Sequence, residues 1–125
     1  MRFVPPAATF AVAVLVGHAE AQEVAAFESG DQFLAKCDQS ADFCIGFVEA
    51  TADAMNAARS SGGTVGGWTA CIPAGAVNDQ VRDIAMTYFR KHPEQRDASA
   101  ASIIANALAN AFPCPLGQPF TWRDA

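Results

Sequence analysis

The fold is decided by residues 71–114, CIPAGAVNDQVRDIAMTYFRKHPEQRDASAASIIANALANAFPC, which begin and end with a cysteine. Apolar side chains recur at helical spacing on both sides of His92-Pro93, first at Val81, Ile84, Ala85, Tyr88 and Phe89, then at Ala100, Ile103, Ile104, Ala107, Leu108 and Ala111. This pattern predicts two amphipathic helices joined by a proline-marked turn, so that the helices run antiparallel. Their outer ends then meet, which brings Cys71 close to Cys114.

The chain has four cysteines, an even number that favours two disulfides in a small exported domain. If the hairpin pairs Cys71 with Cys114, Cys37 and Cys44 remain to pair across a short connection between helices. The crossed pairing, Cys37 with Cys114 and Cys44 with Cys71, stays open. We favour the pairing in which Cys71 bonds Cys114 and Cys37 bonds Cys44. Closing the long loop from Cys71 to Cys114 contributes roughly 4 kcal/mol in the chain-entropy description.

The first residues have the pattern of a secretory signal peptide. Arg2 gives a positive start, residues 7–16 form a short apolar run, and Ala19-Glu20-Ala21 is an A-x-A cleavage pattern. We expect residues 1–21 to be removed and residues 22–125 to form one exported domain. Disulfides persist in such an oxidising compartment, and the apolar run is too short to span a bilayer.

The composition argues against several classes of partner. The formal net charge is −5 at pH 7, and the basic residues are scattered along the chain. Because phosphate contacts need clustered lysine and arginine, neither nucleic acid nor an anionic membrane is an expected partner. The cysteines show no C-x-x-C spacing and the mature chain has one histidine, His92, so no metal or other cofactor is expected.

Two further helices precede residues 71–114. Ser29 and Gln32 form a capping-box pattern before a short first helix. Ser40 is placed to cap a second helix, whose apolar face ends at Ser60-Ser61-Gly62-Gly63. Gly46 lies inside this second helix, where glycine lowers helix propensity. It indicates either a close approach of another backbone or a tolerated irregularity. Asn78 is the expected cap of the third helix.

Residues 60–77 form a long connection that contains Gly62-Gly63, Gly66-Gly67 and Trp68. Connections of this length are usually functional or disordered, and tryptophan is enriched at binding hot spots. Our candidates for partner binding are therefore Gly62, Gly63, Gly66, Gly67 and Trp68. In the alternative interpretation, Trp68 folds back to cover the core beside Cys71.

The sequence gives little support for catalysis. Oxidised cysteines are not nucleophiles, and His92 has no second catalytic group at a recognisable spacing. The position of His92 at the C-terminal end of a helix is enough to explain why a histidine occurs there. We therefore predict that the protein is not an enzyme.

Short motifs follow one another along the mature chain in an order that resembles one family. A capped helix ending in Cys37 is followed by Cys44-Ile45-Gly46-Phe47, Asp53-Ala54, Cys71-Ile72-Pro73, His92-Pro93-Glu94, Ala107-Leu108 and Ala111-Phe112-Pro113-Cys114. In order and spacing they resemble the Rap/Tai family of type VI secretion amidase immunity proteins, over nearly all of the mature chain. Phe47 stands where we expect tyrosine and Ala50 where glycine is common, and both departures concern packing.

This resemblance implies a small all-helical periplasmic protein of about four helices. Its expected partner is a peptidoglycan amidase effector, whose substrate groove it blocks, and the resemblance leaves a homodimer open. Residues that bind the effector are not carried over from the family. Our own hypothesis is that residues 61–70, with Trp68, enter the groove.

Two other functions fit a small helical exported protein. One is an acid-stress chaperone of the HdeA type, because protonation of the acidic residues at low pH would make the net charge positive. Such chaperones are richer in lysine and have one disulfide. The other is a general periplasmic interaction module, since fold does not fix function.

Overall fold

The computed structural model describes residues 2–4 and 27–115, and this part of the chain is all-α. Four helices follow in order: α1 (Gly30–Gln39), α2 (Ala41–Ser60), α3 (Asn78–Lys91) and α4 (Ala100–Ala111), with a short 3-10 turn at Pro93–Gln95 before α4. The predicted bundle of about four helices is therefore confirmed. Most of the expected signal peptide, residues 1–21, lies outside the described residues, as does the C-terminal stretch after Pro115.

The first two helices begin where local chemistry predicts. Ser29 and Gln32 form the expected capping box, with each side chain bonded to the other residue's backbone N–H. Ser40 accepts a hydrogen bond from the Phe43 N–H at the start of α2. The prediction for α3 was wrong by one residue, because Val77 is at its N-cap position and no side chain caps the helix.

The core forms where all four helices meet. Phe33 of α1 is fully buried, and its ring stacks on Phe89 of α3 with centroids 5.2 Å apart. Phe47 of α2 lies equally close to Phe33 on another side. The largest fully buried side chains are Phe33, Phe89, Met55, Ile104, Leu108 and Val48. The helix α2 packs against α1, α3 and α4, and so does α4 against the other three.

Gly46 does not approach another backbone. It is exposed, and a Cβ atom built on it would meet nothing within 4 Å. The glycine of α2 is therefore a tolerated irregularity, the second of the two interpretations above. The helical glycine that does allow close packing is Gly30, at the start of α1, which is buried.

The cysteines form two disulfides with the favoured pairing. Cys37 bonds Cys44 across the α1–α2 connection, and Cys71 bonds Cys114 across the outer ends of the α3–α4 hairpin. Cα atoms within the two pairs are 4.7 and 4.9 Å apart. The Cys71 N–H also donates to the Phe112 carbonyl at 2.8 Å, so backbone and side chain both hold this end of the hairpin.

Candidate partner-binding surface

Residues 61–77 form the connection between α2 and α3, and their backbone is tightly bonded. Ser61 is the C-cap of α2, and the Gly62 and Gly63 N–H groups donate back to the Arg59 and Ala58 carbonyls. This pair of bonds is the Schellman motif, in which glycine commonly takes the position with positive φ. Gly62 has φ of 77°. The first two glycines of our candidate set thus end α2.

The other two glycines form a two-residue turn. Val65 and Trp68 exchange backbone hydrogen bonds of 3.1 and 2.9 Å across Gly66-Gly67. Both glycines have positive φ, 57° and 84°, as a type I′ hairpin turn requires. We call residues 65–68 the Val65–Trp68 hairpin. Sequence analysis missed it, although a Gly-Gly pair between Val65 and Trp68 is a known hairpin signal.

The Val65–Trp68 hairpin is seated on the first turns of α4. A Cβ atom on Gly66 would lie 2.6 Å from the Ser102 Oγ atom, so only glycine fits against this helix. Val65 packs on the core, and Ala70 is fully buried just beyond the hairpin. The Trp68 side chain is 39% exposed. The structure therefore places an accessible tryptophan on a small and well-supported turn.

Arg59 joins the end of α2 to the second disulfide. Its guanidinium Nη1 atom donates to Cys71 Sγ and lies 3.4 Å from Cys114 Sγ. A cation in the last turn of a helix also interacts favourably with the negative end of the helix dipole. The end of α2, the disulfide and the connection are thus held together around one side chain.

A concave feature lies beside the second half of the connection. We call it the α2–α3 cleft, about 320 Å³ in volume, and its walls are Glu49, Ala52, Asp53, Asn56, Ile72, Pro73, Ala74, Ala76, Val77, Asn78 and Val81. No binding role was predicted for Glu49 or Asp53 from the sequence. A hydrogen bond of 3.0 Å from the Ala76 N–H to the Pro73 carbonyl closes a turn at this point, and Pro73, Ala74 and Ala76 line the cleft.

His92 lies on another part of the surface. Its ring stacks on Tyr88 with centroids 4.1 Å apart, and its Nδ1 atom is 3.1 Å from Glu94 Oε1. A backbone hydrogen bond and the hydrogen bond from His92 hold the pKa of Glu94 below its usual value. All four cysteines are oxidised, so no thiol is present as a nucleophile for His92 to activate.

Neither a metal site nor a membrane span is found in the part of the chain that the structure describes. Within residues 2–4 and 27–115, His, Cys, Asp and Glu side chains form no group of three or more that could hold a metal ion. The helices α1 to α4 do not have the length and apolar character needed to cross a bilayer.

Comparison with known proteins gives one family. The family model described as Rap1a immunity proteins matches residues 29–114, which include all four helices and both disulfides. Comparisons with curated proteins and with solved structures give no significant match.

Proposed function

This chain belongs to the Rap1a immunity protein family, and we propose that it binds and inhibits a peptidoglycan amidase delivered by type VI secretion. Membership of an immunity family implies a partner effector, and the family match over residues 29–114 is the observation that supports the immunity role. The amidase is the effector class implied by the resemblance of the motifs. Inhibition by binding needs no catalytic group in this chain.

We further propose that the protein acts in the periplasm. The A-x-A pattern ending at Ala21 supports cleavage and export, and two disulfides suit an oxidising compartment. An amidase that attacks peptidoglycan acts in the same compartment. The mature protein is then residues 22–125.

The Val65–Trp68 hairpin is our candidate for the element that enters the substrate groove of the amidase. A type I′ turn is narrow, and while Gly66 rests on α4, Gly67 at the tip borders open space. Trp68 beside the tip supplies a large and partly exposed apolar surface. Because the turn is already formed, less conformational entropy is lost on binding than for an unstructured loop.

The proposal is tested with oxidised residues 22–125 and a peptidoglycan amidase effector purified from the source strain. We expect a stable complex by calorimetry and loss of hydrolysis of a cross-linked peptidoglycan peptide. Light scattering of the free protein reports whether the mature chain is a homodimer. Absence of binding and of inhibition would reject the immunity function. If the protein then prevented client aggregation at about pH 2 to 3 but not at pH 7, the chaperone function would replace it.

The role of the hairpin is tested with Trp68→Ala. Because a hot-spot tryptophan typically contributes 2 kcal/mol or more, we expect inhibition to weaken at least about tenfold. Phe27→Ala is the matched control, because it removes a fully exposed aromatic ring elsewhere. Equal inhibition by Trp68→Ala and wild type, with an intact complex, would remove the hairpin from the interface and leave the immunity function standing.

A further inference from the structure

The α2–α3 cleft combines an apolar floor with an acidic rim. The floor consists of half-buried and buried side chains, Ala52 of α2, Ile72 and Ala76 of the connection, and Val81 of α3. At the mouth, Val77 is 61% exposed, which is unusual for a large aliphatic side chain. A cleft of about 320 Å³ has the size of one or two side chains, and it is too small for a helix.

The polar groups on the α2 side of the cleft lie on one face of the helix. Glu49, Asp53 and Asn56 are spaced by four and three residues, so their side chains are neighbours along α2. Asp53 is exposed and Glu49 is half-buried. Within residues 27–115 neither carboxylate forms an ion pair or a hydrogen bond. The described part of the chain thus leaves both carboxylates without a cationic partner.

Asn56 adds an independent observation. Its Oδ1 atom is buried and accepts no hydrogen bond from the described residues. A buried acceptor without a donor is unfavourable by about 1 to 3 kcal/mol, and Asn56 is one of the residues that line the cleft. The cleft is thus lined by two carboxylates and an asparagine around an apolar base.

We propose that the α2–α3 cleft receives a lysine or arginine side chain of the effector that the protein inhibits. The aliphatic stem of such a side chain packs on apolar surface while its cationic head stays with polar groups. Here the stem lies along Ala52, Ile72 and Val81, and the head lies between Glu49 and Asp53. The inference rests on the proposed function, and it adds a second contact to the one made by the Val65–Trp68 hairpin.

The charge of the whole molecule supports the same partner chemistry. The formal net charge of −5 attracts a positively charged surface and increases the rate of encounter with it. The Val65–Trp68 hairpin and the cleft belong to the same connection, on the two sides of Cys71. One basic side chain of the effector, held in the cleft, would therefore fix the position of the effector relative to the Val65–Trp68 hairpin in its groove.

The test measures the affinity of the purified amidase effector for three variants by calorimetry at low and high NaCl. Asp53→Lys places a cation at the mouth of the cleft, and we expect its Kd to rise at least tenfold. Asp38→Lys makes the same change of charge at an exposed helical position away from the cleft, and we expect less than a threefold rise. Ala74→Trp fills the cleft from its exposed wall without changing the charge, and we expect a rise of at least fivefold.

The dependence of Kd on NaCl concentration distinguishes the electrostatic contribution to binding from the effect of filling the cleft. Wild type and Ala74→Trp should bind more weakly as NaCl increases, and the affinity of Asp53→Lys should change less. Wild-type affinity in both Asp53→Lys and Ala74→Trp would overturn this inference and leave the proposed function intact. A wild-type protein that neither binds nor inhibits the amidase would overturn both.

Discussion

Gly30 and Arg96 lie in direct backbone contact, because a Cβ atom added to Gly30 would be 2.8 Å from the Arg96 carbonyl oxygen and 2.9 Å from its Cα atom. Two hydrogen bonds of 2.9 Å accompany this contact, from the Gly30 N–H to the Ala98 carbonyl and from the Asp31 N–H to the Arg96 carbonyl. The start of α1 is therefore docked on the turn that leads into α4. The start of α1 can lie this close to the turn only because Gly30 has no side chain.

The two helical glycines should respond in opposite ways to alanine. Gly30→Ala forces a methyl group against backbone atoms and should lower the free energy of unfolding by about 1 to 3 kcal/mol. Gly46→Ala meets open space and should raise it by up to about 1 kcal/mol, because alanine is the better helix former. Urea denaturation followed by circular dichroism measures both. A loss of stability in Gly46→Ala would contradict the assignment of that residue as a free position.

Helix caps give a second matched pair. Ser40→Ala removes the side-chain acceptor at the start of α2 and should cost about 1 kcal/mol. Asn78→Ala should leave stability unchanged within about 0.5 kcal/mol, because Asn78 is already inside α3 and its side chain makes no capping bond. Thermal unfolding of the two variants and wild type measures the difference. Equal losses would show that Asn78 caps α3 after all.

The turn of the Val65–Trp68 hairpin contains a third pair. Gly66→Ala and Gly67→Ala both place a β-carbon at positive φ, which costs about 1 to 2 kcal/mol. Only Gly66→Ala also collides with Ser102, since nothing lies within 4 Å of a Cβ atom on Gly67. We expect Gly66→Ala to be the less stable variant by at least about 1 kcal/mol. Identical denaturation midpoints would mean that the hairpin does not rest on α4.

The two disulfides should contribute unequally. The bond from Cys71 to Cys114 closes a separation of 43 residues and the bond from Cys37 to Cys44 one of 7. The chain-entropy description gives about 4 and about 2.4 kcal/mol at 25 °C. Replacing each pair by alanine and measuring guanidinium denaturation tests the order. A larger loss for the Cys37–Cys44 pair would show that native packing around the buried Cys44 outweighs the constraint on the unfolded chain.

Tyr88 links α3, the 3-10 turn and α4 through its hydroxyl group. This group donates to Gln95 Oε1 at 3.2 Å and accepts from Asn106 Nδ2 at 2.7 Å. Tyr88→Phe keeps the ring stacked near His92 but leaves both partners without this bond, and should cost about 1 to 2 kcal/mol. Asn110→Ala, which removes only an exposed bond to Asn106, is the control and should cost less than about 0.5 kcal/mol. Calorimetric unfolding of both variants measures the difference.

Local chemistry accounts for most of the fold. The roles of Ser29, Ser40 and Pro93 were predicted correctly, because a helix cap and a helix-stopping proline act on residues close to them in sequence. The pairing that the antiparallel helices favoured is confirmed, although the sequence alone left the crossed pairing open. The contact between Gly30 and Arg96 was not predicted, since those residues are far apart in sequence and only tertiary packing brings their backbones together.

The candidate surface was predicted less completely. The sequence singled out the glycine pairs and Trp68, but it treated residues 60–77 as an irregular loop. The structure assigns one pair to a helix end and the other to a hairpin turn. The α2–α3 cleft was missed, because it forms only when the turn at residues 73–76 lies against the outward face of α2. That the hairpin and the cleft bind an effector remains a prediction.

Three points hold the connection between α2 and α3 in place. Gly63 bonds the end of α2, Gly66 packs on α4, and Cys71 forms a disulfide with Cys114. Between these points Thr64 and Thr69 are exposed, as is Ala74 just beyond Cys71, and none of the three belongs to the core. Their side chains can therefore change without loss of the bundle. An immunity protein with this layout can change exposed side chains of the connection while the residues that hold the bundle stay the same, so its surface and its stability can evolve separately.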